Sequence, residues 1–346
     1  MIRRDQWGPW EFRGSFPWFD GGRRGGIPAG LMTLFAFAAP LAGQSTVPEE
    51  LRARLDSIGF SPPSAPSLEL YTPLLRAAPT GGVQVTRDLP YGPHERNLLD
   101  VYDPGDLSGA PVLIYVHGGG YVGGNKDVSD EVYGNVATWF ARNGVLGVNA
   151  TYRLAPEGTW PSGIEDVRSM VAWVRAHAAE FGGDPDRVFL MGHSAGATHV
   201  AGYAFDSRFH PPEGHGVAGM ILVSGRYQVR ADPDDPTLGS VRQYFGDDAT
   251  RYPSRSPLSH VPDSEVPALL VLAEYDQRNL VETSGELFVA LCLRDGGRCP
   301  RIVQLRYHNH LSEVYHINTA DELLGREALD FIREGADRQR ERARVR

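Results

Sequence analysis

The chain has 346 residues, 41% hydrophobic and 22% charged, with 40 Gly, 26 Pro, 2 Cys and a formal net charge of -9. This is globular composition, with enough apolar residues for a full core in one large domain or two smaller ones, and it excludes a disordered or collagen-like chain. The acidic balance argues against a nucleic-acid binder, which needs a basic face to release counterions, and two cysteines exclude a disulfide scaffold and a Cys-built zinc site.

In chain order, residues 1–26 hold three of the six tryptophans and no helical or strand periodicity. The apolar run Ile27 to Ala42 is too short and proline-interrupted for a comfortable bilayer span. Its basic prelude, Arg23 and Arg24, and its small-residue exit, Ala39, Ala42 and Gly43, resemble a secretory signal peptide. Segment 1–44 is therefore expected to be a signal-like or disordered leader, and the protein to be exported to the periplasm or medium. A mis-assigned start, with Met32 as the alternative, would leave it cytoplasmic. Residues 45–80 read as a pre-core arm and candidate lid. Ser45 or Thr46 can cap a short helix from Pro48 that Gly59 stops, and Ser61 to Pro66 reads as a Pro/Ser linker. The last ten residues, 337–346, read as a basic tail extending a helical pattern.

Between these ends, residues 81–336 alternate short β-branched runs with amphipathic segments, the pattern of a mostly parallel sheet with helices on both faces. Eight strands are predicted, at Val83–Leu89, Leu98–Tyr102, Val112–His117, Val145–Tyr152, Val188–Gly192, Met220–Ser224, Ala268–Ala273 and Ile302–Tyr307. Helices are predicted near Asp130–Asn143, Gly163–Phe181, Ala195–Phe205, Glu282–Leu293 and Ala320–Glu334. The first two strands flank the turn-rich Tyr91 to Asn97 and should pair antiparallel. Tyr227 to Pro267 is proline-rich and strandless, and so reads as an excursion over one end of the sheet.

Gly192-His193-Ser194-Ala195-Gly196 follows an apolar strand and opens a helical run, as a nucleophile elbow requires. The competing reading is a helix-capping serine in a Gly-rich turn. His117-Gly118-Gly119-Gly120-Tyr121 closes the strand before it, where a flexible loop can turn backbone N–H groups toward the serine and complete an oxyanion hole with the N–H of Ala195. A phosphate loop is disfavoured, because the segment lacks the Lys-Ser/Thr and the spacing such loops need.

A serine hydroxyl needs a base within hydrogen-bond reach and an acid to orient that base. In the order Ser, acid, His, the base should follow the last strand, at His308 or His310, with His310 favoured because it has cleared the strand. The acid should follow the preceding strand, among Glu274, Asp276 and Glu282, with Asp276 best placed in the loop. No metal site or other cofactor is indicated, since no H-E-x-x-H or comparable set accompanies the histidines. Tyr121, Tyr227 and Tyr244 are candidate substrate-binding residues, able to stack on an aromatic acyl or alcohol group. Packing of the cover is their alternative role.

Together HGGGY, Tyr152-Arg153-Leu154-Ala155-Pro156, GHSAG, AEYD and HNHLS resemble the α/β-hydrolase esterases of the hormone-sensitive-lipase-like and kynurenine-formamidase-like group, including bacterial feruloyl and acetyl-xylan esterases. The likeness covers roughly residues 68–334. It implies an α/β-hydrolase fold with a small N-terminal cap or arm and a Ser194–Asp276–His310 triad. It also implies oxyanion donors at Gly119, Gly120 and Ala195, with Gly118 the alternative in the formamidase-like branch. The implied activity is hydrolysis of short-chain or aromatic carboxylic esters through an acyl-enzyme, with an amidase or peptidase using the same triad as the alternative and a non-catalytic binding module as the remote one. The expected partner is a small-molecule ester. Neither nucleic acid nor a stable transmembrane span is expected, and the oligomeric state is left open. One departure from the family pattern is Glu157-Gly158-Thr159-Trp160-Pro161, which is spaced more widely than the usual glutamate, aromatic and proline. Cys292 and Cys299 can pair if the protein is exported.

Overall fold

The apolar runs of the sequence become one eight-stranded sheet: β1 Gln84–Pro90, β2 Leu98–Asp103, β3 Ala110–Val116, β4 Leu146–Ala150, β5 Gly183–His193, β6 Gly219–Val223, β7 Ala268–Tyr275 and β8 Arg301–Asn309. A computed structural model describes residues 47–60, 65–129 and 131–345, and side chains as far as residue 336. The signal-like segment 1–44 lies outside the described residues. Strand order is β1-β2-β4-β3-β5-β6-β7-β8. β1 and β2 pair antiparallel, as do β2 and β4, and every later pairing is parallel. The helices, in chain order, are α1 Glu49–Ile58, α2 Ala65–Arg76, α3 Gly134–Arg142, α4 Ser162–His177, α5 Ala195–Phe205, α6 Leu238–Phe245, α7 Tyr252–Arg255, α8 Arg278–Arg294, α9 Ser312–Tyr315 and α10 Leu323–Val345.

The parallel strands read as unbroken apolar runs because both of their faces are covered. In β3, Val112, Ile114 and Val116 point to one face with α4 and α5, represented by Val167, Val171, Val200 and Tyr203. Leu113 and Tyr115 point to the other, with Val136 and Phe140 of α3 and Leu324 and Ile332 of α10. Each such side chain contributes roughly 2 kcal/mol of burial. β1 is mostly exposed, with only Val85 and Leu89 half-buried, as expected of an edge strand. The excursion after β6 folds as α6, α7 and short 3-10 turns.

The arm departs from expectation. Helix α2 begins at Ala65, inside what reads as a linker, and it forms because Leu70, Tyr71 and Leu75 recur at helical spacing and bury against the α3/α10 face. Leu55 of α1 joins the same cluster. The arm therefore extends the core beside the sheet, and none of its described residues, 47–60 and 65–80, lines the cleft that holds Ser194. The basic tail continues α10 to Val345. Among the described residues no helix is long and apolar enough to cross a membrane.

The single lysine has a structural place. Lys126 Nζ lies 2.6 Å from Asp127, 2.9 Å from Asp100 and 3.0 Å from Asp88, and Asp100 is fully buried on β2. Burial alone would lower the lysine pKa, but hydrogen bonds to Asp127, Asp100 and Asp88 overcome this and hold it above its usual value.

Five of the described histidines are buried in the interior: His117, His193, His199, His308 and His316. Desolvation pushes His117, His193 and His199 down to about 3 and His316 to about 4. In the unfolded chain each titrates near ~6.5, so between these values the unfolded state binds more protons and stability falls as pH drops. Two acids raised by burial, Asp166 and Glu313, act in the opposite sense, but they are two groups against four. The thermal midpoint should therefore stay flat just above neutrality and fall steadily as pH goes below about 6.5. A midpoint that does not change between roughly pH 6.5 and 4.5 would mean that these imidazoles are not buried as neutral groups.

Candidate active site

Strand β5 ends at His193 and α5 starts at Ala195, so Ser194 alone makes the turn between them. It sits at φ 55° and ψ -121°, a conformation that costs a non-glycine residue free energy. Its N–H donates to Val223 O at 2.8 Å, which ties the turn to β6. The flanking glycines are required by close approach: a Cβ on Gly192 would come within 2.5 Å of Gly196 O, and one on Gly196 within 2.2 Å of Val116 O. The first turn of α5 can thus lie directly on the carboxyl ends of β3 and β5, presenting its N-terminus beside the Ser194 hydroxyl.

The glycine loop leaves β3 alongside this turn. A Cβ on Gly118 would meet His193 Nδ1 at 2.9 Å and Ser194 Cβ at 3.0 Å, so the loop packs against the serine itself. Gly119 has φ 133°, and a Cβ there would fall 2.0 Å from Gly123 O. Among the described residues no protein acceptor takes the N–H of Gly119, Gly120 or Ala195. All three line one cleft of about 340 Å³ together with Gly118, Ser194 and His310.

Beyond β8, Asn309 Oδ1 accepts from the N–H groups of Leu311 at 3.1 Å and Ser312 at 3.0 Å, a local turn that fixes the intervening His310. His310 Nε2 lies 2.9 Å from Ser194 Oγ, and its Nδ1 lies 3.0 Å from Asp276 Oδ1. Asp276 follows β7, is 3% exposed, and accepts from its neighbour Gln277 N at 2.9 Å. Burial pushes the Asp276 carboxyl up. The charge and hydrogen bond of His310, with help from Ser224 and Gln277 N–H, outweigh this and hold it below the usual value.

The structure separates the remaining candidates. His308 is buried behind the site, with Nδ1 3.1 Å from Ser312 Oγ and Nε2 2.9 Å from Asp321 Oδ2. Glu274 accepts from Tyr307 N at 2.7 Å, and Glu282 pairs with Arg278 on α8. Tyr121 lines the cleft, 4% exposed, with its OH 3.1 Å from Thr198 Oγ1. Tyr227 and Tyr244 are a correction to the expectation, for both are 1% exposed and neither lines the cleft. Tyr227 turns inward to accept from Gly225 N at 3.1 Å, while Tyr244 accepts from Gly163 N at 3.1 Å and stacks behind Tyr121 at 5.0 Å. Both phenol groups are satisfied inside the protein, which makes these rings supports of the wall.

Two residues at the site carry no sequence motif. Arg226 lines the cleft, held by Asp235 Oδ2 at 2.9 Å and Thr237 Oγ1 at 2.8 Å. Glu313, three residues past His310, is fully buried, with Oε1 3.2 Å from His193 Nε2 and 3.5 Å from His310 Nδ1. Two groups, His193/His310/Glu313 and His308/His316/Asp321, bring ligand-type atoms within 4.8 Å of one another. In the first, His310 is engaged by Ser194 and Asp276, and His193 Nε2 by His310 O at 2.7 Å. In the second, His308 spans Ser312 and Asp321.

The chain matches the profile of the prolyl oligopeptidase family over residues 155–334 and that of BD-FAE over residues 99–208. Esterase LipQ of Mycobacterium tuberculosis is 31% identical over 230 residues, which are 61% of this chain and 53% of LipQ. The chain spans about half or less of the length of such curated relatives. Among solved structures, the Pyrobaculum calidifontis esterase is similar with a TM-score of 0.62 at 24% identity, covering 84% of this chain and 97% of that one. The bacterial heroin esterase is similar with a TM-score of 0.63 at 24% identity, covering 84% and 98%. With the eight-stranded sheet and the serine turn already in place, these matches settle the kinship: the chain belongs to the prolyl oligopeptidase family and has the α/β-hydrolase fold.

Proposed function

We propose that the protein is a serine carboxylic-ester hydrolase acting through an acyl-enzyme. The observation that carries this reading is the unbroken chain from Ser194 Oγ to His310 at 2.9 Å and from His310 to Asp276 at 3.0 Å, opening onto a cleft lined by Gly119, Gly120 and Ala195. Ser194 attacks the ester carbonyl as His310 Nε2 takes its proton. Asp276, ionised at neutral pH, holds the imidazole by Nδ1 and stabilises its charged form. The N–H groups of Gly119, Gly120 and Ala195 receive the oxyanion, each such donor being worth roughly 3 kcal/mol in the transition state. His310 returns the proton to the leaving alcohol and then activates the water that frees the acyl group. Names of relatives, "Esterase LipQ" and "Probable carboxylic ester hydrolase LipM" among them, point to the same chemistry.

Ser194→Ala should lower kcat on an activated acetate ester by about ten-thousand-fold or more. Asp276→Asn should lower it by about a thousand-fold or more with circular dichroism unchanged. Wild-type rates in the serine variant would refute the mechanism. An equal loss in Glu274→Gln with none in Asp276→Asn would move the acid.

The match to a family named for peptidases favours a second reading, cleavage of amides by the same three residues. Initial rates on ester and amide substrates sharing one acyl group separate the two. The ester should be faster by about a hundredfold or more, since its alkoxide leaves more readily than an amine. A cleft of about 340 Å³, at the small end of ligand sites, supports short-chain or aromatic acyl groups. Acetyl, butyryl and hydroxycinnamoyl esters should turn over and long-chain esters should not, and preference for long chains would contradict this pocket.

Export is part of the same proposal. Cys292 and Cys299 form a disulfide between the end of α8 and the approach to β8, and such bonds persist in oxidising compartments. Thiol titration of unreduced, denatured protein taken from its native host should find neither cysteine free. Two free thiols would place the protein in the cytoplasm.

A further inference from the structure

Behind the triad lies a buried cluster that the mechanism above does not use. Ser224 closes β6 at φ 48°, with its backbone N–H donating to Val271 O at 3.0 Å, so its side chain is fixed between β7 and α9. Its Oγ lies 2.8 Å from Glu313 Oε2, and the same hydroxyl favours the charged form of the Asp276 carboxyl, although in this geometry no hydrogen bond reaches Asp276 Oδ2. A hydroxyl has one proton and two carboxyls compete for it. If Ser224 donates to Glu313, Asp276 Oδ2 is left buried without a donor, and Glu313 Oε1 has none aligned to it either. Two adjacent ionised carboxyls would then share one proton in a site from which water is excluded, an arrangement that costs several kcal/mol per unpaired charge.

Moving one proton resolves this. With the proton on Glu313 Oε2, that oxygen donates to Ser224 Oγ, and the freed Ser224 O–H turns to Asp276 Oδ2. The Glu313 Oε1 that remains is a carbonyl oxygen, suited to face the N–H edges of His193 and His310 at 3.2 and 3.5 Å without adding a second full charge. His193 fits the scheme, because its Nε2 donates to His310 O at 2.7 Å and cannot accept the Glu313 proton.

We propose that Glu313 is a positioning residue that stays protonated at neutral pH and acts through the Ser224 hydroxyl to hold the Asp276 carboxylate in line with His310. Burial is the main cause that pushes Glu313 well above the usual carboxyl range, and the charge of Asp276 adds to it, while Ser224 opposes. The other titratable groups acting with it are His193, His310 and the phenols of Tyr115, Tyr133 and Tyr227, which burial keeps neutral. None of these supplies a permanent cation to ionise it. Holding both oxygens of Asp276, one by His310 and one by Ser224, leaves the carboxylate a single orientation.

The kinetic part of this inference rests on the hydrolase reading; the protonation of Glu313 does not. Two measurements on the whole protein test it. The infrared difference between wild type and Glu313→Gln at neutral pH should contain the C=O band of a protonated carboxyl, whether or not the protein turns over an ester; carboxylate bands alone would overturn the proposal. With an activated acetate ester, Glu313→Gln, a neutral isostere able to donate to Ser224, should keep kcat within about threefold and leave the acid limb of kcat/KM in place. Ser224→Ala and Glu313→Ala should each lower kcat by about tenfold or more with KM within about twofold, and the double variant should lose no more than the worse single one. If Glu313→Ala does not fold, Ser224→Ala carries the comparison. If Glu313 were ionised, removing its charge in Glu313→Gln would move the acid limb of kcat/KM down by about one unit; that result would overturn the proposal, as would full additivity in the double variant. A wild type inactive on the ester, with the protonated band present, would instead remove the hydrolase reading and leave Glu313 protonated.

Discussion

The contact on which the site depends is the approach of the first turn of α5 to the end of β3, where the Gly196 Cα lies so near Val116 O that a methyl group would sit 2.2 Å from it. Because the helix can come this close, one residue spans the distance from strand to helix, and that residue, Ser194, is forced into a positive-φ turn. The same approach sets the glycine loop against Ser194, since β3 delivers His117 and Gly118 to the spot where α5 begins. The serine turn, the helix N-terminus and the position of the glycine loop are consequences of one steric allowance, so a substitution at Gly196 would disturb all three together.

The sheet supplies the rest by its direction. β3, β5, β6, β7 and β8 run parallel, so the residues following their carboxyl ends gather at one edge: the glycine loop, Ser194, Ser224, Asp276 and His310. This is the general position of ligand sites in open parallel sheets. Residues that fail to join it fail for local reasons. Tyr227 and Tyr244 have their phenols satisfied by backbone N–H groups inside the fold, and His308 still belongs to β8 and faces the opposite side.

The interior behind the site holds several titratable groups and few full charges. His117, His193 and His199 are held neutral by burial, and Glu313 is pushed in the same direction, while Asp276 keeps its charge because His310 and its hydrogen bonds outweigh its own desolvation. One anion in a medium with little competing charge interacts more strongly with a positive charge placed beside it. The aromatic layer of Tyr121, Tyr244 and Phe245, with ring centroids 4.8 to 5.2 Å apart, gives the cleft wall similar rigidity without polar cost.

The sequence by itself determined the eight strands and the covered parallel sheet, because buried strands must be apolar throughout and those runs are visible without any partner. It also located the serine turn, the glycine loop and the two segments that carry Asp276 and His310, since backbone conformations of that kind restrict residue type locally. Helix α2 was legible in the spacing of Leu70, Tyr71 and Leu75, but the Ser/Pro composition around residues 61–66 masked its start. The sequence favoured His310 over His308 by its position past the strand, but tertiary structure decided the distance at which it meets Ser194, which tyrosines face the cleft, and that Arg226 and Glu313 stand at the site. These depend on side-chain direction and on distances between residues more than a hundred positions apart in some cases, and no local pattern records them. The competition of Asp276 and Glu313 for one hydroxyl proton is the clearest instance, for it exists only once β6, β7 and α9 have been brought together.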